Sequence, residues 1–399
     1  MKKTILLIAI PDSIHTYRWV RQMDTDGWDV HLFSSIGGAV VRPGMEGVKF
    51  HHPLYLSWKR LNVALLGRVT PYLARAIDFI RRRVIERVIP NFYARQLAKV
   101  IKRIRPDLVH SMEIQGAGYL TLEAKQESSG VFPPWLVTNW GSDIFLYGRT
   151  REHRERIREV LEHSDYYSCE CERDIGLARA FGFKGKAMPV FPNTGGFPLD
   201  DLAKIRDVYS TSNRRVIMLK GYQNWAGRAL VGLRTLERCA DLLSGYEVVI
   251  YSAGADVMLA AELFTEHVGV PVRVLPHKTS HQEMLAWHAR ARVSIGLSIS
   301  DAISTSLLEA MVMGSFPIQS CTACANEWIQ HGISGMIVPP EDPDVIEKAI
   351  RIALSDDALV DEAAKVNWRT AQERLDAKFL KQQANEMYSK LLLDETLPS

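Results

Sequence analysis

Several absences narrow the reading of this 399-residue chain. No stretch approaches the roughly 20 apolar residues of a membrane-spanning helix, so a soluble protein, or at most a peripheral one, is expected. Met1-Lys2-Lys3 and the apolar run Thr4 to Ile10 imitate a secretory leader. The run is short, however, no small-residue cleavage site follows it, and Pro11-Asp12-Ser13 reads as a turn after a buried strand. Cysteine is scarce: Cys169, Cys171, Cys239, Cys321 and Cys324 form no even disulfide framework and fit a reducing, cytoplasmic setting. Cys321-x-x-Cys324 has no second pair, and reads as small residues beside a strand end more readily than as a zinc or redox site. Asp200-Asp201, after Pro198-Leu199, reads as a helix start rather than as a metal motif. There is no short-period repeat and no low-complexity tract. A net charge of +3 is too small to argue for nucleic acid.

What is present is ordinary globular composition, 47% apolar and 24% charged, at a length that suits two domains of roughly 150–200 residues. Strands alternate with helices in both halves. The first half predicts strands at Thr4–Ile10, Asp29–Ser35, Val48–His52, Leu108–His110, Trp135–Asn139, Tyr166–Cys169 and Ala187–Val190. It also predicts a helix over Ser13–Asp26 and a long helical region from Ala64 to Ile104, broken at Pro71 and Pro90. The second half predicts strands at Val216–Lys220, Glu247–Tyr251, Val272–Leu275, Val293–Ile299, Phe316–Gln319 and Gly335–Val338. Its helices run over Ala229–Leu243, Ala255–Phe264, Ser280–Ala291, Ser304–Met313 and Asp344–Leu354, and two more fill Ala358–Leu393. Such alternation implies parallel, doubly wound sheets. The loop Asn193-Thr194-Gly195-Gly196-Phe197-Pro198 marks the join, with the boundary between residues 196 and 212 and drawn at 200/201.

The segment Val293 to Pro340 carries the chemistry. A buried strand runs into a Ser/Asp loop, then a helix bearing Glu309, then a short strand, then a Gly-punctuated stretch closing on Pro339-Pro340. Ligands of parallel sheets sit at the carboxyl ends of the strands. A helix opening on Ser304, Thr305 and Ser306 presents backbone N–H groups and a positive dipole end, which suit phosphate. Asp301 and Glu309 on either side suit sugar or ribose hydroxyls, so the loop reads as a nucleotide-sugar site. Ser306-Leu-Leu-Glu309 is also a capping box, in which Glu309 would cap its own helix. Upstream, Lys220 and Arg228 bracket a glycine-bearing loop between a strand and a helix, placed to neutralise a diphosphate; the alternative is a pair of solvated loop charges.

The same segment resembles the donor-binding signature of the retaining glycosyltransferases of family 4 (group 1 type), which have the GT-B architecture. Asp301, Leu307-Leu308-Glu309-Ala310-Met311, Gly314-Ser315-Phe316-Pro317-Ile318, Glu327 and Gly335-Met336-Ile337-Val338-Pro339-Pro340 follow the family's order and spacing. The first acid is Asp301 where the family has Glu, and Ala302 and Ser304 replace small glycines. The resemblance implies an α/β fold of two Rossmann-like doubly wound domains facing across a cleft. Residues 1–200 would bind acceptor, 201–375 would bind donor, and 376–399 would form a helix crossing back. It implies a retaining glycosyltransferase (EC 2.4 type) of polysaccharide or glycoconjugate biosynthesis, using a nucleoside-diphosphate sugar with no metal and no other cofactor. In that reading Asp301 holds a donor sugar hydroxyl and Glu309 the ribose. The base lies along Pro276-His277-Lys278-Thr279-Ser280, where His277 and Lys278 are the side-chain candidates and a helix-entry loop is the alternative. Trp140-Gly141-Ser142-Asp143 resembles a family segment at the floor of the site. It makes Asp143 a holder of a hydroxyl, or else a helix cap, and puts Asn139 where histidine is common. His15 and His110, at strand ends, are the remaining acceptor-side candidates.

Ten Lys or Arg fall between Arg75 and Arg105, interleaved with apolar and aromatic residues. That pattern suits an anionic membrane surface and a lipid-linked acceptor, or a solvated helix face. RNA-binding modules are not recognisable. A nucleotide-sugar epimerase of the same architecture and a non-catalytic sugar-nucleotide-binding subunit are the competing functions.

Overall fold

The computed structural model describes residues 2–36, 44–52, 84–206 and 209–393. The expected helix from Ala64 as far as residue 83, with Pro71, Arg75, Arg81, Arg82 and Arg83, lies outside them. The chain divides into two compact units, Met1–Gly195 joined by the residues from Lys381 onward, and Gly196–Leu380. The first division thus falls a few residues before 200/201. Helix Leu199–Arg206 belongs to the second unit because Leu199 and Leu202 pack among Leu307, Leu308 and Met311.

The first unit carries seven parallel strands: β1 (Thr4–Ala9), β2 (Asp29–Ser34), β3 (Lys49–His51), β4 (Leu108–Ser111), β5 (Trp135–Thr138), β6 (Tyr166–Ser168) and β7 (Lys186–Ala187). Their spatial order is β3-β2-β1-β4-β5-β6-β7. The second unit carries β8 (Val216–Lys220), β9 (Glu247–Tyr251), β10 (Val272–Val274), β11 (Ala291–Gly296), β12 (Phe316–Ser320) and β13 (Met336–Val338), in the order β10-β9-β8-β11-β12-β13. Central strands are apolar throughout because helices cover both faces of each sheet: β1 reads TILLIA and is buried from Ile5 onward. In each unit the strand order reverses once, between β1 and β4 and between β8 and β11. Ligands of doubly wound sheets bind at the carboxyl ends of the strands flanking such a reversal.

Two departures from the expected elements shape the second unit. β11 ends at Gly296 rather than at residue 299. Residues 297–299 leave the parallel ladder and pair with the loop after β8, through Arg228 N to Leu297 O (3.0 Å), Ile299 N to Ala226 O (2.9 Å) and a Gly227–Ser298 bridge. This exchange brings the loops after β8 and β11 side by side. The helix expected over Ala229–Leu243 stops at Arg238 and continues as a short 3₁₀ turn, Ala240–Leu242.

Helix Thr305–Met313 is fixed from its far end. Gly314 takes a left-handed conformation (φ 75°) that ends it. Buried arginines then take its last carbonyls, Arg214 Nη1 donating to Met313 O (2.9 Å) and Arg206 Nε to Val312 O (3.0 Å). Cations at a helix C-terminus oppose the negative end of its dipole.

In the first unit, the part of helix Ala377–Leu393 from Lys381 onward completes the core. The Tyr388 hydroxyl accepts from Trp19 Nε1 (2.7 Å) and lies 2.7 Å from His110 Nδ1, while His110 Nε2 meets Thr138 Oγ1 at 2.6 Å. His110 is fully buried, and burial lowers its pKa to about 3, so the ring is neutral. The strand-end position therefore serves the core, not an acceptor. Tyr388→Phe leaves two buried polar groups short of a partner, and should cost about 1–3 kcal/mol in urea denaturation followed by the first unit's signal. A loss below a few tenths of that would refute the bridge.

Candidate functional site

The second unit's site is built at the carboxyl ends of β8 and β11. Lys220, the last residue of β8, extends its ammonium to Ser304 Oγ (3.1 Å) and stands 3.7 Å from Asp301 Oδ2. The ammonium also lies over the Tyr222 ring, 4.8 Å from its centroid. Ser304 is the N-cap residue of helix Thr305–Met313, yet its side chain makes no capping bond. Its hydroxyl turns instead to Lys220 and to Ser306 Oγ (2.8 Å). A cation, an acid and a row of hydroxyls thus converge on a helix N-terminus, an arrangement that suits a phosphate next to a polyol.

Glu309 lies one turn deeper and is buried. With Ser304 as N-cap, Glu309 falls beyond the first turn, so the capping-box alternative fails. Its carboxylate meets His281 Nε2 at 2.9 Å on one oxygen and His288 Nε2 at 3.6 Å on the other. Burial pushes its pKa up, but the hydrogen bond to His281 and the nearby imidazole of His288 outweigh that and leave it at about 2, so the group is a carboxylate at any ordinary pH. His288 is fully buried, bonded through Nδ1 to Ser294 Oγ (2.9 Å) and edge-on to the Tyr251 ring. Neither histidine was found from the sequence. His281 follows the expected base loop directly, but only the packing of helix His281–Arg290 on helix Thr305–Met313 brings it to an acid 28 positions away.

Other expectations are corrected. Arg228 is held by Glu341 (Nε to Oε1, 2.6 Å) and by the carbonyl of Gly227 (2.9 Å), so its charge is matched within the loops. His277 and Lys278 are exposed at the end of β10, an edge strand. There Thr279 closes a turn on Pro276 O and Ser280 with Glu283 forms the capping box that opens the next helix. Neither His277 nor Lys278 joins the network around Glu309 and Lys220.

In the first unit, Asp143 is buried after β5 and its Oδ2 accepts from Ile114 N (3.0 Å). It does not cap its helix, whose N-cap is Gly141. Glu113, after β4, folds its carboxylate onto Gly116 N (2.6 Å) and Ala117 N across a single π-helical turn, Ile114–Gly118. A Cβ at residue 116 would come within 2.5 Å of that carboxylate, which would have to shift to admit a side chain there. Burial, and then the Glu113 charge, raise the pKa of Asp143 to about 7. Sequence reading passed over Glu113, a lone acid in a segment with no helical periodicity. His15 is half-buried, its ring 4.7 Å from that of Trp140. Asn139 is fully buried with both ends of its amide in use, donating to Asp174 (2.6 Å) and accepting from Gly141 N (3.0 Å). It orients the loop and has no free end for a ligand.

A raised carboxyl pKa means that the folded protein holds a proton that the unfolded chain has already lost. This contribution is full below about pH 4 and disappears as pH rises through about 7. Asp143→Asn should therefore raise the melting temperature by a few degrees at pH 8 and leave it unchanged at pH 4. Equal effects at both pH values would mean that the carboxyl is not held neutral.

Two doubly wound parallel domains, each with one strand-order reversal, define a GT-B-type protein. Residues 4–167 match the family model described as "Glycosyl transferase 4-like", and residues 229–356 match "Glycosyl transferases group 1". Together they take in well over half of the chain, which belongs to the group 1, family 4-type glycosyltransferases. Solved structures with the same fold include a sucrose-phosphate synthase from Thermosynechococcus elongatus, with TM-score 0.70 and 16% identity over 98% of this chain and 99% of that one. A UDP-forming α,α-trehalose-phosphate synthase from Burkholderia xenovorans matches with TM-score 0.68 and 13% identity over 100% of each chain. The Anabaena protein HepE, in complex with UDP and glucose, matches with TM-score 0.67 and 14% identity over 97% and 100%. At such identities the likeness establishes the fold alone. Among curated proteins none matches by sequence.

Proposed function

We propose that this glycosyltransferase moves a sugar from a nucleoside diphosphate to an acceptor hydroxyl with retention of anomeric configuration, in polysaccharide or glycoconjugate assembly. The observation that carries this is the convergence of Lys220, Asp301 and Ser304 at the helix end, with the carboxylate of Glu309 behind them. Glu309 accepts ribose hydroxyls, Asp301 a sugar hydroxyl, and Lys220 with the helix N-terminus takes the charge that develops on the departing diphosphate. No metal is needed in this scheme, since a fixed cation and a helix dipole supply the neutralisation. The acceptor attacks from the face the diphosphate leaves, through an oxocarbenium-like state, and the leaving phosphate oxygen takes its proton. Asp143 and His15 are the acceptor-side groups of the first unit. The binding of UDP and UDP-glucose by HepE supports a nucleotide-sugar donor.

Product analysis with UDP-, GDP- and ADP-sugars tests the reading. Transfer with a retained anomer supports it. A free epimerised sugar nucleotide would indicate an epimerase, and tight binding without turnover a non-catalytic subunit.

The acceptor is proposed to be a glycan or lipid-linked glycan met at an anionic inner membrane face. Helix Phe92–Ile104 bears Arg95, Lys99, Lys102 and Arg103 with no acid. A groove of about 660 Å³ runs beside it, lined by Lys99, Lys102, Arg105 and Phe132, with Val131 99% exposed at its edge. Basic side chains near an anionic surface contribute about 1 kcal/mol each. Lys99→Glu with Lys102→Glu should abolish co-sedimentation with phosphatidylserine vesicles, and wild-type binding should weaken as salt rises. Wild-type protein that stays in the supernatant at low salt would make this a solvated face. Among the described residues no helix is long and apolar enough to cross a membrane.

A further inference from the structure

The two histidines on Glu309 are unequal. His288 is fully buried, and its far nitrogen is tied to Ser294 Oγ (2.9 Å), itself tied to Ser315 Oγ (2.7 Å). That imidazole has nowhere to go. His281 is the first residue of its helix, and its side chain is 47% exposed where that of Glu309 is 7% exposed. Its Nε2 lies 2.9 Å from Oε1, whereas Oε2 faces the buried His288 at 3.6 Å. One imidazole is a fixed wall behind the carboxylate; the other covers its outward oxygen. The only ring contact of His281 among the described residues is a tilted one with Phe197, centroids 6.3 Å apart. The capping box of Ser280 and Glu283 holds the helix start, so the ring can turn without unwinding the backbone.

We propose that His281 is a gate on the donor site, closing on the hydrogen-bonding place of Glu309 that a nucleotide hydroxyl takes on binding. This rests on the assignment of Glu309 to the donor nucleotide. The exchange is one hydrogen bond for another: His281 Nε2 leaves Oε1, a ribose hydroxyl replaces it, and His288 keeps the carboxylate aimed throughout. A diphosphate nucleotide then binds with its intrinsic affinity reduced by the fraction of molecules whose gate is closed. A ligand lacking the hydroxyl gains nothing by displacing the ring, so the gate sharpens selection for a complete ribose.

Calorimetry with UDP, GDP and ADP tests this in four proteins: wild type, His281→Ala, Glu309→Gln and the double variant. Removing a closing hydrogen bond of ordinary strength should tighten binding of the preferred nucleotide about three- to tenfold in His281→Ala. In the Glu309→Gln background the same change should give no gain, because the gate closes on that carboxylate. Nitrogen-15 spectra of the wild-type imidazoles should show His281, and not His288, losing its bonded Nε2 signature at saturating nucleotide. Equal or weaker binding by His281→Ala overturns the gate. So does an equal gain in both backgrounds, or a His281 signal that ignores the nucleotide. Failure of the underlying assignment looks different: Glu309→Gln with His281 intact would then bind nucleotide as the wild type does.

Discussion

Lys220→Ala should lower the rate of sugar transfer by about 10²–10³ while leaving melting temperature and nucleotide affinity close to wild type. The ammonium is held between Ser304 Oγ and the Asp301 carboxylate at the end of a central strand, beside the N-terminus of helix Thr305–Met313. A charge so anchored needs little reorganisation when a diphosphate leaves, and one lost donor of this kind costs about 2.7–4 kcal/mol of transition-state stabilisation. The loss should fall on kcat rather than KM, because charge on the leaving oxygens grows only as the glycosidic bond breaks. Arg228→Ala should cost much less, since Glu341 already matches that guanidinium. Steady-state kinetics on both variants decides the matter. A Lys220→Ala enzyme turning over at a near-normal rate would remove the loop after β8 from the chemistry.

Glu309→Gln should weaken nucleotide binding roughly tenfold or more, because hydrogen bonds to a charged group are worth about 1.5–3 kcal/mol. The amide keeps the size but also donates, which places an N–H opposite one of the two imidazoles. His281 and His288 hold the wild-type carboxyl near a pKa of about 2 against the effect of burial. Ionised Glu309 therefore contributes stability above the unfolded carboxyl pKa of about 4.3, lost as pH falls through about 2. Glu309→Gln should accordingly lower the melting temperature at pH 7 by more than at pH 2. Unchanged affinity combined with this stability loss would reduce Glu309 to a structural partner of the two histidines.

Most of the architecture was legible because both sheets are parallel and buried on both faces, so each strand appears as a short apolar run between turn residues. Val216–Lys220 and Glu247–Tyr251 fall where the pattern puts them. Asp301, Ser304 and Glu309 were legible as a set because they lie within one strand–loop–helix unit, where sequence spacing and spatial spacing nearly coincide. What was hidden depends on partners far along the chain. Arg228 meets Glu341 across 113 positions, and Tyr388 reaches His110 across 278. No local pattern distinguishes a strand-end histidine that faces ligand from one that faces a tyrosine on a remote helix. The end of β11 was misjudged for a related reason: Leu297 and Ile299 keep an apolar, strand-like pattern around Ser298, but the segment pairs with the loop after β8.

The return of the chain to its first unit has a consequence for biosynthesis. The unit Gly196–Leu380 is continuous, and the backbone bonds Phe197 N to Leu375 O (2.8 Å) and Ala377 N to Phe197 O (3.0 Å) tie its entry to its exit. It can close as soon as the ribosome has released it. The unit that begins at the N-terminus cannot, although domains generally form in order of synthesis. Trp19 and His110 lack their shared hydroxyl until Tyr388 has emerged, after the whole of the second unit. The part made first is thus the last to finish folding, and throughout synthesis of the second unit it presents an open, partly apolar core. Dependence on chaperones during production, and sensitivity to truncation at the C-terminal helix, belong to the first unit and not to the one that adjoins the missing helix in sequence.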